Sequence, residues 1–239
     1  MERRRIDRPQ PEDLPLDVLF EDRDIIAVDK PAGMAVHPSP GYESGTVVNA
    51  LLAACPSIRG VGSEERPGIV HRLDVGTSGV LLAAKTARAY HALREMFSDK
   101  RGVVKKYLAV IHGAPHAKTG TLETLIGRKP WDPRRMAVDV PDGKPAITHW
   151  RVLARHGGIS LAEFTIETGR THQIRVHAAH LGCPVAGDPL YGAKEKDARM
   201  RPRPERPLLH AAVLGFRHPF TGGRIEISAP PPPDIVYAG

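Results

Sequence analysis

Apolar residues follow two rhythms along this chain. Short apolar runs bounded by glycine, proline and charge read as strands. They are Ile25 to Val28, Val80 to Ala84, Val103 to Ile111, Thr119 to Ile126, Ala146 to Ala154, Ile159 to Thr168, Leu208 to Phe216 and Arg224 to Ser228. A further short strand is expected at Met34 to Val36, after the Pro31-Ala32-Gly33 turn. Three segments have helical spacing instead. Thr46 to Ala54 ends at Cys55-Pro56, and Thr86 caps a helix from Ala87 to about Ser98. That helix puts Tyr90, Leu93, Met96 and Phe97 on one core-facing side. Gly169-Arg170-Thr171-His172 opens a third helix to about Leu181, closed by Gly182 and Pro184. Gly60 to Gly68, Gly127 to Pro145 and Arg155 to Gly158 read as loops, and Ala186 to Gly192 as a compact turn.

Consecutive strands with short links imply a mixed, mostly antiparallel sheet flanked by helices, an α+β fold. Without an internal repeat or inner linker, one catalytic-sized domain over 16–229 is expected. Residues 1–15 are charged and proline-rich and read as a flexible segment. Residues 230–239 form a proline-rich tail, stiff over Pro230 to Pro233. Ala193 to Pro207 is mostly Lys, Arg, Glu and Pro, and reads as a solvated loop or a basic loop touching a polyanion.

Charge narrows the function. Lys and Arg number 34 against 27 Asp and Glu, a formal net charge of +7. Such a balance points to a polyanionic partner, nucleic acid before membrane. Cys55 and Cys183 have no partner at metal-ligand spacing and fit a reducing compartment. The N-terminus lacks the apolar core of a secretory signal, and no apolar run nears the roughly 20 residues needed to cross a bilayer. The expected location is the cytoplasm.

The chemistry concentrates between Ile69 and Lys85. His71-Arg72-Leu73-Asp74 and Gly76-Thr77-Ser78-Gly79 sit between apolar runs, on a turn held by strands. An aspartate there is costly to bury unless paired. Lys105 and Tyr107 are two apart on one strand, hence on one face. Gly169 to His177 carries two arginines, Arg170 and Arg175, at a helix start that already favours anions.

His-Arg-Leu-Asp followed by x-x-Thr-Ser-Gly and an apolar strand ending in Lys85 resembles the central motif of the RluA-type pseudouridine synthases. V-x-K-P-x-G-x-x-V-H-P from Val28, K-x-Y at Lys105 to Tyr107, G-R-x-H-Q-I-R-x-H from Gly169 and L-H-A at Leu209 to Ala211 resemble the same family. The likeness runs from about Val18 to Ser228. It implies a single pseudouridine synthase catalytic domain, a sheet split by a central cleft, and an RNA substrate, ribosomal (large subunit) or transfer RNA. The S4-type RNA-binding module of many relatives is expected to be absent. Isomerisation of uridine changes no oxidation state and loses nothing, so neither cofactor nor metal is expected.

By this resemblance Asp74 is the nucleophile. Tyr107 lies against the target base and can accept a proton. Arg175 is the counter-ion that keeps the carboxylate charged. Arg72 reaches into the RNA, Arg170 meets phosphate, and Leu209 floors the base. Lys30 and His37 are expected to be scaffold. No protein partner is implied, and a monomer is the default.

Rival readings are weaker. His172, His177 and His180 match no zinc spacing, and no Cys or acid stands close in sequence. Gly76 to Gly79 lacks the G-x-S-x-G of a nucleophile elbow. Gly41 to Thr46 lacks the Gly-Lys of a phosphate loop. An RNA-binding protein without turnover would not need Asp74, Tyr107 and Arg175 together. A nucleobase hydrolase would need a water-activating group that the sequence does not offer.

Overall fold

The protein is described from a computed structural model, which describes residues 8–99 and 102–236. In chain order come strands β1 (Asp17–Glu21) and β2 (Ile25–Lys30), helix α1 (Val47–Ala54), the small hairpin β3 (Gly62–Ser63) and β4 (Arg66–Pro67), β5 (Ser78–Ala84) and α2 (Ala87–Asp99). Then follow β6 (Val104–His112), β7 (Thr119–Lys129), β8 (Asp132–Val138), β9 (Lys144–His156), β10 (Ile159–Ile166), α3 (Gln173–His180) and α4 (Lys194–Asp197). β11 (Leu209–Arg217), β12 (Arg224–Ser228) and α5 (Pro233–Val236) end the described residues. Strands dominate and the helices are short, so the expected α+β class holds.

The chain divides into two compact units. The first holds the described residues up to Val103 together with Gly215–Ala229; the second holds Val104–Leu214 and the described residues from Pro230. Strand β11 contributes to both.

In the first unit β2 pairs antiparallel with β1 and β5. Ile25 to Val28 and all of β5 are buried. Thr46 caps α1: its hydroxyl accepts the Asn49 N–H, and the Asn49 side chain accepts the Thr46 N–H. Asp24 fixes the start of α2, accepting Nε and Nη2 of Arg88 at 2.8 and 2.6 Å and the Thr86 hydroxyl at 2.8 Å. These donors, Arg88 first, hold the Asp24 carboxyl below its ordinary range.

In the second unit the strand order is β6-β10-β9-β7-β8, with antiparallel neighbours. Ala109, Ile111, Ala162 and Phe164 pack with Ile174 and Ala178 of α3 in one buried cluster.

Several expectations need correction. Residues 34–36 are not a strand; the carbonyls of Ala35 and Val36 accept the Val47 and Val48 N–H groups, satisfying orphan donors at the start of α1. Part of the expected loop from Gly127 to Pro145 is strand β8. Its prolines misled the reading, but β8 ends the strand order, and an edge strand tolerates proline. Residues 1–7 of the segment expected to be flexible lie outside the described residues. Residues 10 to 12 are tied down: the Asn49 amide donates to the Gln10 carbonyl, and the Glu12 N–H donates to the Asn49 carbonyl. The tail is also anchored, with Ile235 buried and both oxygens of Asp234 held by Nε and Nη2 of Arg206 at 2.7 Å. The basic segment from Ala193 is more than a solvated loop. Its Asp197 is buried, 2.6 Å from His112 Nε2 and accepting the Gly187 N–H at 2.9 Å.

The cap on α1 gives a first prediction. Thr46→Ala should lower stability by about 1–2 kcal/mol in urea unfolding. An unchanged midpoint would show that the packing of α1, not its cap, fixes its start.

Candidate active site

The first unit supplies the Asp74 loop, and a buried lysine holds it. Lys30, at the end of β2, is 0% exposed. Its Nζ donates to the carbonyls of Pro31 (2.8 Å), Met34 (2.8 Å) and Val75 (3.2 Å). An ammonium has three donors, and three carbonyls meet them. The Gly33 N–H also donates to Val75 at 2.8 Å, from a turn where Gly33 has φ 89°. The Thr77 N–H donates to the Asp74 carbonyl at 3.0 Å. So the backbone on both sides of the Asp74–Val75 bond is fixed.

His71 anchors the other end of the loop. Its Nε2 accepts the Leu82 N–H at 2.9 Å, and its ring stacks on Phe97 of α2 at 4.8 Å. Leu73 points into the core, Asp74 is half-buried and Arg72 is exposed. His37 is half-buried; burial, with Arg72 and Arg66 nearby, lowers its pKa.

The second unit holds the remaining candidates. Tyr107 lies on β6 opposite Phe164 of β10 and packs against the cluster that contains Phe164, Ile174 and Leu209. Leu209 is buried at the start of β11. A Cβ on Gly169 would stand 3.9 Å from Lys105 Nζ, so the K-x-Y strand meets the turn before α3. Arg170 is half-buried, and its Nε donates to the Pro145 carbonyl at 2.9 Å.

Arg175 is buried on α3. Its Nε and Nη2 donate to both oxygens of buried Asp188, at 2.7 and 2.8 Å. Asp188 Oδ1 also accepts the N–H groups of Leu190 and Tyr191. Burial pushes the Asp188 carboxyl up, but Arg175 and these amides outweigh it, leaving the pKa lowered. The guanidinium lies 5.2 Å from the Tyr191 ring centre. The Tyr191 hydroxyl accepts the Met136 N–H at 2.7 Å and is 2.9 Å from His172 Nδ1.

Sequence reasoning missed Asp188, treating it as part of a compact turn. The available signal was an acid set among Gly187, Pro189 and Gly192, where little else polar is present.

A polar network beneath α3 was also missed. Gln173 Oε1 accepts the Thr168 hydroxyl and the Arg170 N–H, while its Nε2 donates to the Ile147 carbonyl and the Thr148 hydroxyl. Every amide lone pair and proton is matched. Thr148 continues to His177 Nδ1 at 2.8 Å, and His177 Nε2 reaches Thr124 at 2.9 Å. His177 is therefore structural. Among the described residues no group of three His, Cys, Asp or Glu is placed to hold a metal.

The structure thus puts Arg72 and Asp74 on one loop of the first unit. Tyr107, Arg170, Arg175 and Leu209 belong to the second, where Tyr107, Leu209 and the α3 residue next to Arg175 meet one cluster.

A family model described as RNA pseudouridylate synthase matches residues 24–180. An uncharacterized RNA pseudouridine synthase of Bacillus subtilis is 46% identical over 226 residues, covering 94% of this chain and 72% of that protein. The ribosomal large subunit pseudouridine synthase D of Xanthomonas campestris is 46% identical over 234 residues, covering 94% and 69%. The solved structure of human RNA pseudouridylate synthase domain containing 1 aligns with TM-score 0.74 at 28% identity, covering 100% of this chain and 90% of that one.

The buried histidine makes stability depend on pH. Burial, and then His180, lower the His177 pKa to about 4 from an ordinary 6.5. The unfolded chain takes up this proton below pH 6.5, while the folded protein refuses it until about pH 4. Stability is therefore full above 6.5 and falls between 6.5 and 4, by about 2–3 kcal/mol from this group. His177→Gln should flatten that part of the profile. Equal losses in wild type and variant between pH 7 and 4.5 would show that His177 is not held neutral.

Proposed function

The chain belongs to the RNA pseudouridylate synthase family and is an RNA pseudouridine synthase; we propose that it isomerises a uridine of large-subunit ribosomal RNA, with Asp74 as nucleophile. The observation that carries this reading is the anchoring of Asp74. The loop bearing it is stapled by a fully buried lysine, yet the aspartate itself stays half-buried rather than joining the core. Rigid placement of a reactive group on an accessible turn is what preorganised catalysis requires. The ribosomal target is supported by similar proteins named ribosomal large subunit pseudouridine synthase D, 46% and 41% identical to this chain.

The reaction breaks the bond from uracil N1 to ribose C1′, turns the base, and joins C5 to C1′. The C5 proton leaves and N1 gains one, so the balance is an isomerisation. Asp74 is the carboxylate nucleophile, whether it adds to sugar or base. Tyr107 supplies a flat ring for the uracil and a phenol within reach of the C5 proton. Leu209 contributes apolar floor. Arg175 is the counter-ion that keeps the nucleophile ionised, itself oriented by Asp188. Exposed Arg72 and half-buried Arg170 engage the RNA, offsetting the few kcal/mol needed to flip a base. The working form is a monomer.

Asp74→Asn should leave RNA affinity within about threefold while pseudouridine formation falls by about 1,000-fold or more. The test is tritium release from C5-labelled large-subunit RNA, with nuclease-protection binding in parallel. A residual rate near wild type would remove Asp74 from this role. Mapping pseudouridines in total RNA with and without the gene tests the target; sites missing only from transfer RNA would overturn the ribosomal assignment.

A further inference from the structure

Trp131 is the most exposed large apolar side chain of the described residues, at 101%. It sits at the tip of the β7–β8 hairpin, in the two-residue link Pro130-Trp131 between paired Lys129 and Asp132. Its φ is 70°, in the left-handed region. Proline followed by a residue at positive φ is the pattern of a type II turn, whose second central position favours glycine. Here the largest side chain stands where glycine fits best, and it buries nothing. Neither folding nor solubility explains that choice, and an unfavourable backbone held at an exposed tip points to a function.

The surroundings say which. Arg128, Lys129, Arg134 and Arg135 flank the tip against the single carboxylate of Asp132. Arg128, Lys129 and Arg134 are exposed. Arg134 Nε lies 3.5 Å from Asp132, and Arg135 3.8 Å, so one acid is shared between two cations. An exposed aromatic among excess cations is the arrangement that binds unpaired nucleotides: cations track the phosphates and the ring stacks on a base.

The base of this hairpin is tied to the Arg175 centre. The Met136 N–H donates to the Tyr191 hydroxyl, and Arg135 Nη2 donates to the Leu190 carbonyl. Both residues adjoin Asp188, the partner of Arg175. Trp131 is five residues from Met136, which at strand spacing is roughly 17 Å. The tip therefore stands well away from the residues that hold Arg175.

We propose that the β7–β8 hairpin is an RNA-docking element, in which Trp131 stacks on an unpaired base flanking the target and the surrounding cations hold its phosphates. The proposal rests on the RNA substrate of the function above, but on none of the catalytic assignments.

Trp131→Gly provides a clean test, because glycine relieves the backbone while removing the ring. The probes are a fluorescein-labelled single-stranded RNA of mixed sequence and the duplex of the same sequence, each read by anisotropy with the full chain. Wild type should prefer the single strand. Trp131→Gly should weaken single-strand binding by roughly tenfold, leave duplex binding within twofold, and keep or raise the melting temperature. Trp131→Phe should restore most of the affinity. With large-subunit RNA as substrate, Trp131→Gly should raise KM with kcat unchanged. Single-strand affinity unchanged by Trp131→Gly would overturn the proposal, as expected if this tip meets a protein instead. Equal losses for strand and duplex would also overturn it, since charge alone would then explain binding. The Asp74→Asn assay reads turnover independently, so a failed nucleophile assignment and a failed docking element are distinguishable.

Discussion

A charge taken out of water must be met, and this protein uses that constraint to fix its loops. Lys30 is fully buried, and three backbone carbonyls surround its ammonium. One of them, Val75, follows Asp74 directly. Arg175 is buried against both oxygens of Asp188, which is held in turn by two backbone amides. Removing either partner of such a pair strands a buried charge at a cost of about 3–5 kcal/mol. Each cation thus does what apolar packing cannot, because hydrogen bonds carry direction. They set the path of the loop as well as its depth.

The same economy extends beneath α3. Gln173 satisfies four partners, and His177 stays neutral between two threonines. This helix has no side-chain cap at its start, where His172 takes a left-handed conformation. The Gln173 amide, rather than a cap, pins the first turn to β9 and to the residues before the helix. A networked interior of this kind gives α3 one orientation against β9.

The β7–β8 tip obeys the opposite logic. Around Lys30, Gln173 and His177, buried polar atoms are matched. At the tip an indole is left in water on a backbone suited to glycine, beside more cations than its one carboxylate can balance. A fold that is sparing elsewhere marks, by this exception, a surface whose partner is supplied from outside.

Much of this was legible in the residue pattern. Apolar runs located β2, β5, β6, β7, β9, β10, β11 and β12, and helical spacing with Thr46 and Thr86 located α1 and α2, because these elements bury one face or both and their periodicity records it. The motif strings identified the family, since chemistry at a fixed turn needs fixed residue types at fixed spacing. Strand β8 was not legible: as an edge strand it tolerates Pro133 and charge that read as loop. The partner of Arg175 in its own unit was not legible either, for Asp188 is 13 residues away and meets it through a turn. Nor could sequence show that Lys30 is buried, that Asp197 carries a basic segment into the core, or that Trp131 stands exposed. Local pattern determines which backbone a segment prefers and which face it buries. Which distant groups satisfy a buried charge, and which side chains are left outside, is decided only when the whole chain has closed around them.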